Sequence, residues 1–149
     1  MKTQIKETLR STLAQIRAEE GSVLLAEPAG LRFALCAAPA CPDHESKLVG
    51  HLVPRGRGIV GLAFAFQQPM TVADVKSDPT HDDTTDSAVG SFTRNEAVVP
   101  LSTPEKEYGM LTAINSAAPG GFSAKDLDAL TTAAAEITRL LAKSQEAPK

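Results

Sequence analysis

The sequence predicts an α+β domain built on one antiparallel sheet. Three observations support this class: two strand pairs joined by short turns, an amphipathic helix at each end, and a length of 149 residues. Sequential hairpins favour an antiparallel sheet over the alternating strands and helices of doubly wound α/β proteins. A chain of this length forms one core. We therefore expect one domain over residues 1–149, with its core at about 5–145 and a polar tail.

The first part of the chain predicts a helix followed by a hairpin. Apolar residues at spacings of three and four predict a helix over residues 2–19. This stripe consists of Ile5, Leu9, Leu13 and Ile16. Gly21 follows the last turn, where a left-handed cap is common. The apolar runs 22–27 and 31–36 then flank a Pro-Ala-Gly turn and predict two paired strands.

The middle of the chain predicts loops around one short apolar helix. The proline-rich segment 37–46 predicts a loop, and segment 47–53 fits a helix or a strand. Residues 58–67 are apolar nearly all round, which is typical of a helix buried on most sides. A short strand is expected over 70–75. The acidic segment 77–95 follows as a long loop, and loops of this length are often functional.

Two further strands and a long helix complete the predicted fold. The strands 96–102 and 108–116 flank a second turn. Ser123 and Asp126 have the spacing of a capping box, which predicts the start of the last helix. The apolar stripe of this helix consists of Leu127, Leu130, Ala134, Ile137 and Leu141.

Composition argues against several classes of protein. The net charge is −3 and no cluster of Lys and Arg is present, so we expect no nucleic-acid partner. Two cysteines, Cys36 and Cys41, are too few for a disulfide scaffold or a four-thiolate zinc site. No run approaches the roughly 20 apolar residues that span a bilayer. We expect a soluble cytoplasmic protein without a membrane partner.

Gly56, Gly58 and Gly61 form a G-x-G-x-x-G pattern, which an acidic residue, Asp74, follows. This pattern occurs in dinucleotide-binding proteins, where it requires a parallel strand–helix–strand unit. Here the surrounding elements are hairpins, and the helix after the glycines is short. We expect instead that Gly56 and Gly58 adopt positive φ angles, and that Gly61 lets the helix approach the sheet closely.

The stretch VPRGRGIVGLAFAFQQPMTVADV, residues 53–75, resembles the central signature of the GAF domain family. The hairpin GSVLLAEPAGLRF and the C-terminal segment AVVPLSTPEKEYGMLTAINSAAPGGFSAKDLDAL are also similar to this family. The resemblance spans roughly residues 5–145. It implies an antiparallel sheet of five or six strands with the terminal helices on one face. Small helices and the long loop on the other face would enclose a ligand pocket.

The resemblance implies a non-catalytic sensory or regulatory module. Such domains often form homodimers through their terminal helices, here residues 5–16 and 127–141. The stripes on these helices have a second interpretation, namely that they only cover the sheet. A sensory module of this kind would pass its signal to a separate domain or protein. A ligand-free dimerisation module is an alternative function.

By family position, seven residues are expected to line the pocket. They are Phe64, Val72, Asp74, His81, Phe92, Thr93 and Val98. Apolar walls with a few polar groups suit a small metabolite. Arg94 would either pair with an anionic ligand or form an exposed salt bridge.

The sequence departs from the ligand motifs of several GAF subfamilies, so the cofactor stays unassigned. Ser116 stands where cyclic-nucleotide-binding members have Lys, and Leu127 stands where they have Glu. Bilin-binding members and free methionine sulfoxide reductases use cysteines near the pocket loop, and residues 74–95 contain none. A reductase that uses Cys36 and Cys41 is a further alternative.

The loop DPTHDDTTD raises the question of a metal or haem site. His81 lies among four aspartates, and hard cations favour clustered carboxylates. The segment lacks the Gly and Glu of an EF-hand loop. We interpret these acids as solvent-exposed groups at the start of a helix, and we predict no metal site.

Overall fold

Six strands form one antiparallel sheet in the computed structural model, which describes residues 2–39, 42–75 and 93–146. The strands are β1 (Ala18–Glu27), β2 (Gly30–Ala37), β3 (Leu52–Pro54), β4 (Met70–Val72), β5 (Glu96–Ser102) and β6 (Glu107–Ser116). Their order across the sheet is β3-β2-β1-β6-β5-β4. The predicted fold class is therefore confirmed.

Four helices accompany the sheet in the described residues. They are α1 (Lys2–Ile16), α2 (Pro42–Leu48), α3 (Gly58–Phe66) and α4 (Ala124–Glu146). The β1–β2 and β5–β6 turns lie at one end of the sheet, which we call the hairpin end. At the other end α1 leads into β1 and β6 leads towards α4, and we call this the junction end.

The terminal helices α1 and α4 pack side by side on one face of the sheet. Their apolar stripes lie in one buried cluster, in which Leu9, Leu130 and Ile137 have no exposed surface. Leu127 and Leu141 are partly buried against the same cluster. The stripes therefore cover the sheet within the chain. Dimerisation stays a prediction, and it would have to use the outward residues of these helices.

The second face carries α3 and a separate apolar cluster. Leu24 of β1 and Met110 of β6 form the centre of this cluster, and Ile59 of α3 packs onto them. Residues 58–64 are all buried or partly buried, as the apolar pattern predicted. The prediction is wrong at the C-terminal end of the helix, where Phe66 is 69% exposed.

The first helix ends earlier than the sequence predicted. Arg17, at φ 57°, takes the left-handed position that follows α1, and Gly21 lies inside β1. A Cβ at Gly21 would lie 2.8 Å from the Thr112 carbonyl oxygen. The glycine is thus explained by the close approach of β1 and β6. It does not cap the helix.

Segment 37–46 is not the continuous loop that its prolines suggested, because α2 begins within it. Proline is well tolerated at the first position of a helix, and Pro42 stands there. Asp43 and Glu45 follow in the first turn, where the helix dipole favours negative charge. Leu48 anchors α2 in the cluster of the second face.

The glycine turn before α3 does not belong to a dinucleotide-binding unit. β3 and β4 flank α3 in sequence but lie at opposite edges of the sheet, so α3 crosses the sheet between them. Gly56 at φ 74° and Gly58 at φ 71° confirm the predicted positive angles. The role predicted for Gly61 is wrong. Its missing side chain makes room for the Gly56 carbonyl carbon, which would lie 3.0 Å from a Cβ.

Candidate functional site

Five of the seven predicted pocket residues lie in the described part of the chain, and His81 and Phe92 lie outside it. Val72 and Val98 are buried in the cluster of the second face, and Phe64 of α3 packs against that cluster. Thr93 is buried and Asp74 is exposed, both at the junction end. The backbone N–H of Val75 donates to the Arg94 carbonyl at 3.0 Å, which brings the two flanks of segment 76–92 together.

A row of polar side chains crosses the otherwise apolar second face. Ser22 of β1 lies opposite Cys36 of β2 on one side and opposite Thr112 of β6 on the other. All three are buried, and Thr112 in turn lies opposite Val98. We call Ser22, Cys36 and Thr112 the polar floor. It is the part of the site that can hydrogen-bond a polar group in an apolar pocket.

The polar floor was missed because each strand was interpreted only as an apolar run. Strand alternation places Thr112 on the same face as Met110, which is an inward position. A polar residue at an inward strand position is the signal that could have identified it. Its partner Ser22 is recognisable only once the β1–β6 register is known.

A buried pair of a glutamate and a histidine borders the polar floor. Glu20 is 7% exposed, and one of its carboxylate oxygens contacts Nδ1 of His44 on α2. Alternation places Glu20 on the same face as Ser22. The next residue of α2, Glu45, accepts hydrogen bonds from the Ala38 N–H at 3.0 Å and from Lys6 Nζ at 2.6 Å. These contacts fix α2 beside the floor.

The thiol of Cys36 is not suited to nucleophilic chemistry. Burial raises its pKa to about 11, and a hydrogen bond with Ser22 opposes this shift only in part. Reactive cysteines have the opposite property, a lowered pKa and access to solvent. Cys36 is 1% exposed, and Cys41 lies outside the described residues.

The segment that precedes β5 is hydrogen-bonded to the end of β6. The Arg94 N–H donates to Asn115 Oδ1 at 2.7 Å, and the Ser116 N–H donates to Asn95 Oδ1 at 2.8 Å. The Asn115 N–H donates to the Asn95 carbonyl at 2.9 Å. Asn115 has a φ of 60°, a conformation that Asn tolerates better than most residues. The Asn115 side chain therefore caps the end of β6.

The same segment also contacts the start of the first strand. Arg94 Nη2 lies 2.6 Å from Glu19 Oε2, which confirms the exposed salt bridge among the two roles considered for Arg94. The Ala117 N–H donates to the Arg17 carbonyl at 2.9 Å. We call residues 93–95 and 115–117, with Arg17 and Glu19, the junction network. It connects one flank of segment 76–92 to the end of α1.

The described residues contain neither a cluster of metal ligands nor a helix that could span a membrane. Across 2–39, 42–75 and 93–146, no three His, Cys, Asp or Glu side chains are grouped so that they could share a metal ion. The acidic loop around His81 lies outside these ranges. None of the described helices has both the length and the apolar character needed to cross a bilayer.

A sequence model of the GAF domain matches residues 3–142. The chain belongs to the GAF domain family. A comparison with curated proteins finds no match. The match to the family model covers the sheet and both terminal helices, so the predicted membership is confirmed for nearly the whole chain.

Solved structures of this GAF fold include a free methionine-R-sulfoxide reductase and GAF domains from other proteins. A free methionine-R-sulfoxide reductase from Neisseria meningitidis has a TM-score of 0.78 and 23% identity, covering 99% of this chain and 81% of that one. The GAF domain of a phosphoenolpyruvate-protein phosphotransferase from Coxiella burnetii has a TM-score of 0.74 and 15% identity, covering 97% and 96%. The GAF-B domain of DevS from Mycobacterium smegmatis has values of 0.71 and 18%, covering 97% of each chain. These identities establish the shared fold.

Thiol labelling tests the environment of Cys36. In a Cys41→Ser variant, Cys36 is the only thiol. We expect iodoacetamide to leave it unmodified in the native protein at about pH 8 and to label it after unfolding in urea, because burial keeps the thiol protonated and inaccessible. Mass spectrometry measures the labelled fraction. Native labelling at the rate of the unfolded chain would contradict this assignment.

The same pKa shift predicts a loss of stability in alkali. Between 9.0 and about 11, the unfolded chain releases the Cys36 proton and the folded chain keeps it. The free energy of unfolding should therefore fall as the pH rises through this window. Urea titrations of the Cys41→Ser protein, with and without Cys36→Ala, would measure the difference. The Cys36→Ala variant should lack the part of this decrease in unfolding free energy that comes from Cys36.

The junction network should behave as one coupled unit. Asn95→Ala removes the acceptor of the buried Ser116 N–H, and Asn115→Gly removes the acceptor of the Arg94 N–H while tolerating the positive φ. We expect each change to cost about 1–3 kcal/mol of unfolding free energy. The double variant should deviate from additivity by at least about 0.5 kcal/mol. Strict additivity in urea unfolding, with exposed Ser102→Ala as a neutral control, would show that no such unit exists.

Proposed function

We propose that this GAF domain is a non-catalytic regulatory module that binds a small molecule over the polar floor. Occupancy of the site would be passed on to the terminal helices. The junction network is the observation that supports this proposal most directly. It joins residues 93–95, beside the proposed pocket, to the place where α1 enters β1.

The chemistry of the floor suits a compact, polar metabolite. Ser22 and Thr112 offer hydroxyl groups that both donate and accept, and Val72 and Val98 supply apolar walls. A ligand of this kind would be oriented by two hydrogen bonds and held by apolar contact. The Glu20–His44 pair at the border adds a carboxyl group and an imidazole beside the floor.

The proposed output is a population shift between two arrangements of the helix ends. A ligand that binds one arrangement more tightly displaces the equilibrium by its difference in affinity, typically about 1–3 kcal/mol. Gly121 lies between β6 and α4, where a Cβ would be 3.5 Å from Asn95 Cβ and 3.5 Å from Ala73 Cα. Movement of residues 93–95 would therefore also reach the start of α4.

The comparisons offer support for two classes of function. GAF domains with this fold come from a phosphotransferase and from DevS, and a domain of a putative two-component sensor histidine kinase from Sinorhizobium meliloti also shares it, which favours a regulatory role. Two free methionine-R-sulfoxide reductases also share the fold, so reductase activity is the second candidate. The inert environment of Cys36 makes this second candidate the weaker one. A ligand-free dimerisation module is the third.

Binding and turnover assays separate these candidates. We expect at least one compound from a thermal-shift panel of amino acids, 2-oxo acids, cyclic nucleotides and metal ions to raise the melting temperature, because a ligand of the native state stabilises it. Ser22→Ala and Thr112→Val should each weaken that shift, and exposed Ser102→Ala should not. No shift with any compound, and no small molecule retained in native mass spectrometry of protein from its natural source, would favour the ligand-free module.

Reductase activity has its own test in the same protein. We expect no turnover of free methionine sulfoxide with dithiothreitol as the reductant. Turnover that disappears in Cys36→Ser or Cys41→Ser would establish the enzyme and overturn the non-catalytic assignment. Turnover that persists in both variants would show a contaminating activity.

We also propose that the outward faces of α1 and α4 form a homodimer contact. A groove of about 470 Å³ runs between these helices, with small side chains such as Ser11, Ala129 and Thr132 along it. Glu7 and Glu136 flank the groove. Side chains of a second copy could fill this space without disturbing the buried stripes.

Variants in this groove test the dimer directly. Ser11→Arg together with Thr132→Arg should convert a dimer to a monomer in light scattering, because both positions are exposed and line the groove. Thr131→Arg is the matched control, since it is exposed on the same helix outside the groove. Ile137→Asp would not test the dimer, because Ile137 has no exposed surface and the change would disrupt the buried cluster of a single chain. A dimer that survives the double change would refute this contact.

A further inference from the structure

A separate cavity lies at the hairpin end of the sheet, remote from the polar floor. Its volume is about 280 Å³. Its lining includes Leu31, Pro54, Arg55, Gly61, Phe64 and Glu107. This volume is just below the range of about 300–1,000 Å³ that drug-sized ligands occupy. The cavity therefore suits a smaller molecule.

The glycine turn leaves this space open. Gly56 and Gly61 both line the cavity. A Cβ built on Gly56 would meet no atom within 4 Å, and the Gly61 position has the Gly56 backbone directly against it. No side chain from the turn therefore fills the space beside α3. The glycines that suggested a nucleotide site instead create a small cavity.

The amides at the start of α3 do not face this cavity. Gly58, Ile59 and Val60 provide the first backbone N–H groups of the helix, and none of them is among the residues that line the cavity. A phosphate bound here would lack the contacts that helix N-termini give to anions. The ligand must be recognised by the side chains of the walls.

Two opposite charges border the cavity. Arg55 follows β3, and its Nε donates to the Pro28 carbonyl at 3.3 Å, which holds the guanidinium beside the β1–β2 turn. Glu107 begins β6, and two strands, β2 and β1, separate β6 from β3 in the sheet. No residue of 2–39, 42–75 or 93–146 forms an ion pair with either side chain.

The wall between these charges is apolar. Leu31 is 3% exposed and lies on β2, between Arg55 and Glu107 in the order of the strands. Phe64 of α3 contributes a half-buried ring. A cation, an anion and an apolar wall within one small space complement a molecule with a carboxylate, an ammonium group and a hydrocarbon part.

We propose that this cavity binds a small zwitterionic amino acid. Arg55 pairs with its carboxylate, Glu107 pairs with its ammonium group, and the hydrocarbon part packs on Leu31 and Phe64. This site lies at the opposite end of the sheet from the junction network and does not depend on the regulatory function proposed above.

Titration with defined probes tests the proposal. The zwitterions are L-leucine and 5-aminopentanoate, which differ in the separation of their charges. The singly charged analogues of L-leucine are 4-methylpentanoate and 3-methylbutylamine, and those of 5-aminopentanoate are pentanoate and butylamine. We expect at least one zwitterion to bind with a dissociation constant below about 1 mM, and each singly charged analogue to bind at least about tenfold more weakly. Two-dimensional ¹⁵N–¹H NMR spectra measure affinity and locate the shifted amides.

Matched variants identify the side chains involved. Arg55→Gln and Glu107→Gln should each weaken zwitterion binding about tenfold. Arg57→Gln and Glu105→Gln make the same charge changes outside the cavity and should have little effect. Ala65→Leu places a larger side chain on an exposed helix position in the wall and should block binding while the fold is kept.

The spectra also separate this site from the other pocket. Shifts confined to residues 30–31, 54–65 and 107 would support the proposal. Binding that shifts 72–75 and 93–98 instead would overturn it and would bear on the regulatory pocket. Absence of binding by both zwitterions, or binding unaffected by Arg55→Gln and Glu107→Gln, would also overturn it.

Discussion

The pairing of β1 with β6 at the centre of the sheet is the constraint on which the rest of the structure depends. It brings together strands that are far apart in sequence, from Ala18 opposite Ser116 to Leu25 opposite Gly109. A Cβ at Gly109 would lie 1.8 Å from the Leu24 carbonyl oxygen, so this approach requires glycine. The same pairing places α1 and α4 side by side and sets Ser22 opposite Thr112. Both helix packing and the polar floor follow from one register.

The sequence was sufficient for the class of fold and for most elements, because their signals are local, but α2 was missed. The stripe from Ile5 to Ile16 and the capping box at Ser123 act within a few residues, and the box is present with hydrogen bonds of 3.0 and 3.1 Å. Features that depend on contacts between distant parts of the chain could not be predicted from local signals. Arg17 replaces Gly21 as the left-handed residue because β1 extends back to Ala18 to pair with β6.

The candidate site was predictable only in its apolar part. Val72 and Val98 are apolar residues of predicted strands, and both lie in the apolar cluster of the second face. Ser22, Glu20 and His44 become neighbours of the site through strand register and the packing of α2, which no local pattern specifies. The cavity at Gly56 is a space between elements, and only the packed structure reveals it. Polar side chains that come together only through strand register could therefore not be predicted from the sequence.

The two edge strands of the sheet, β3 and β4, have three residues each. An exposed strand edge can recruit another chain by backbone hydrogen bonding, and short edges limit this. Because α3 runs from β3 to β4, the segment that follows β3 and the segment that precedes β4 are both tied to the helix on the sheet face. In the described residues the sheet thus offers little edge backbone for a foreign strand to pair with. Self-association by β-augmentation is disfavoured, and specific contacts are left to side chains on its helices and loops.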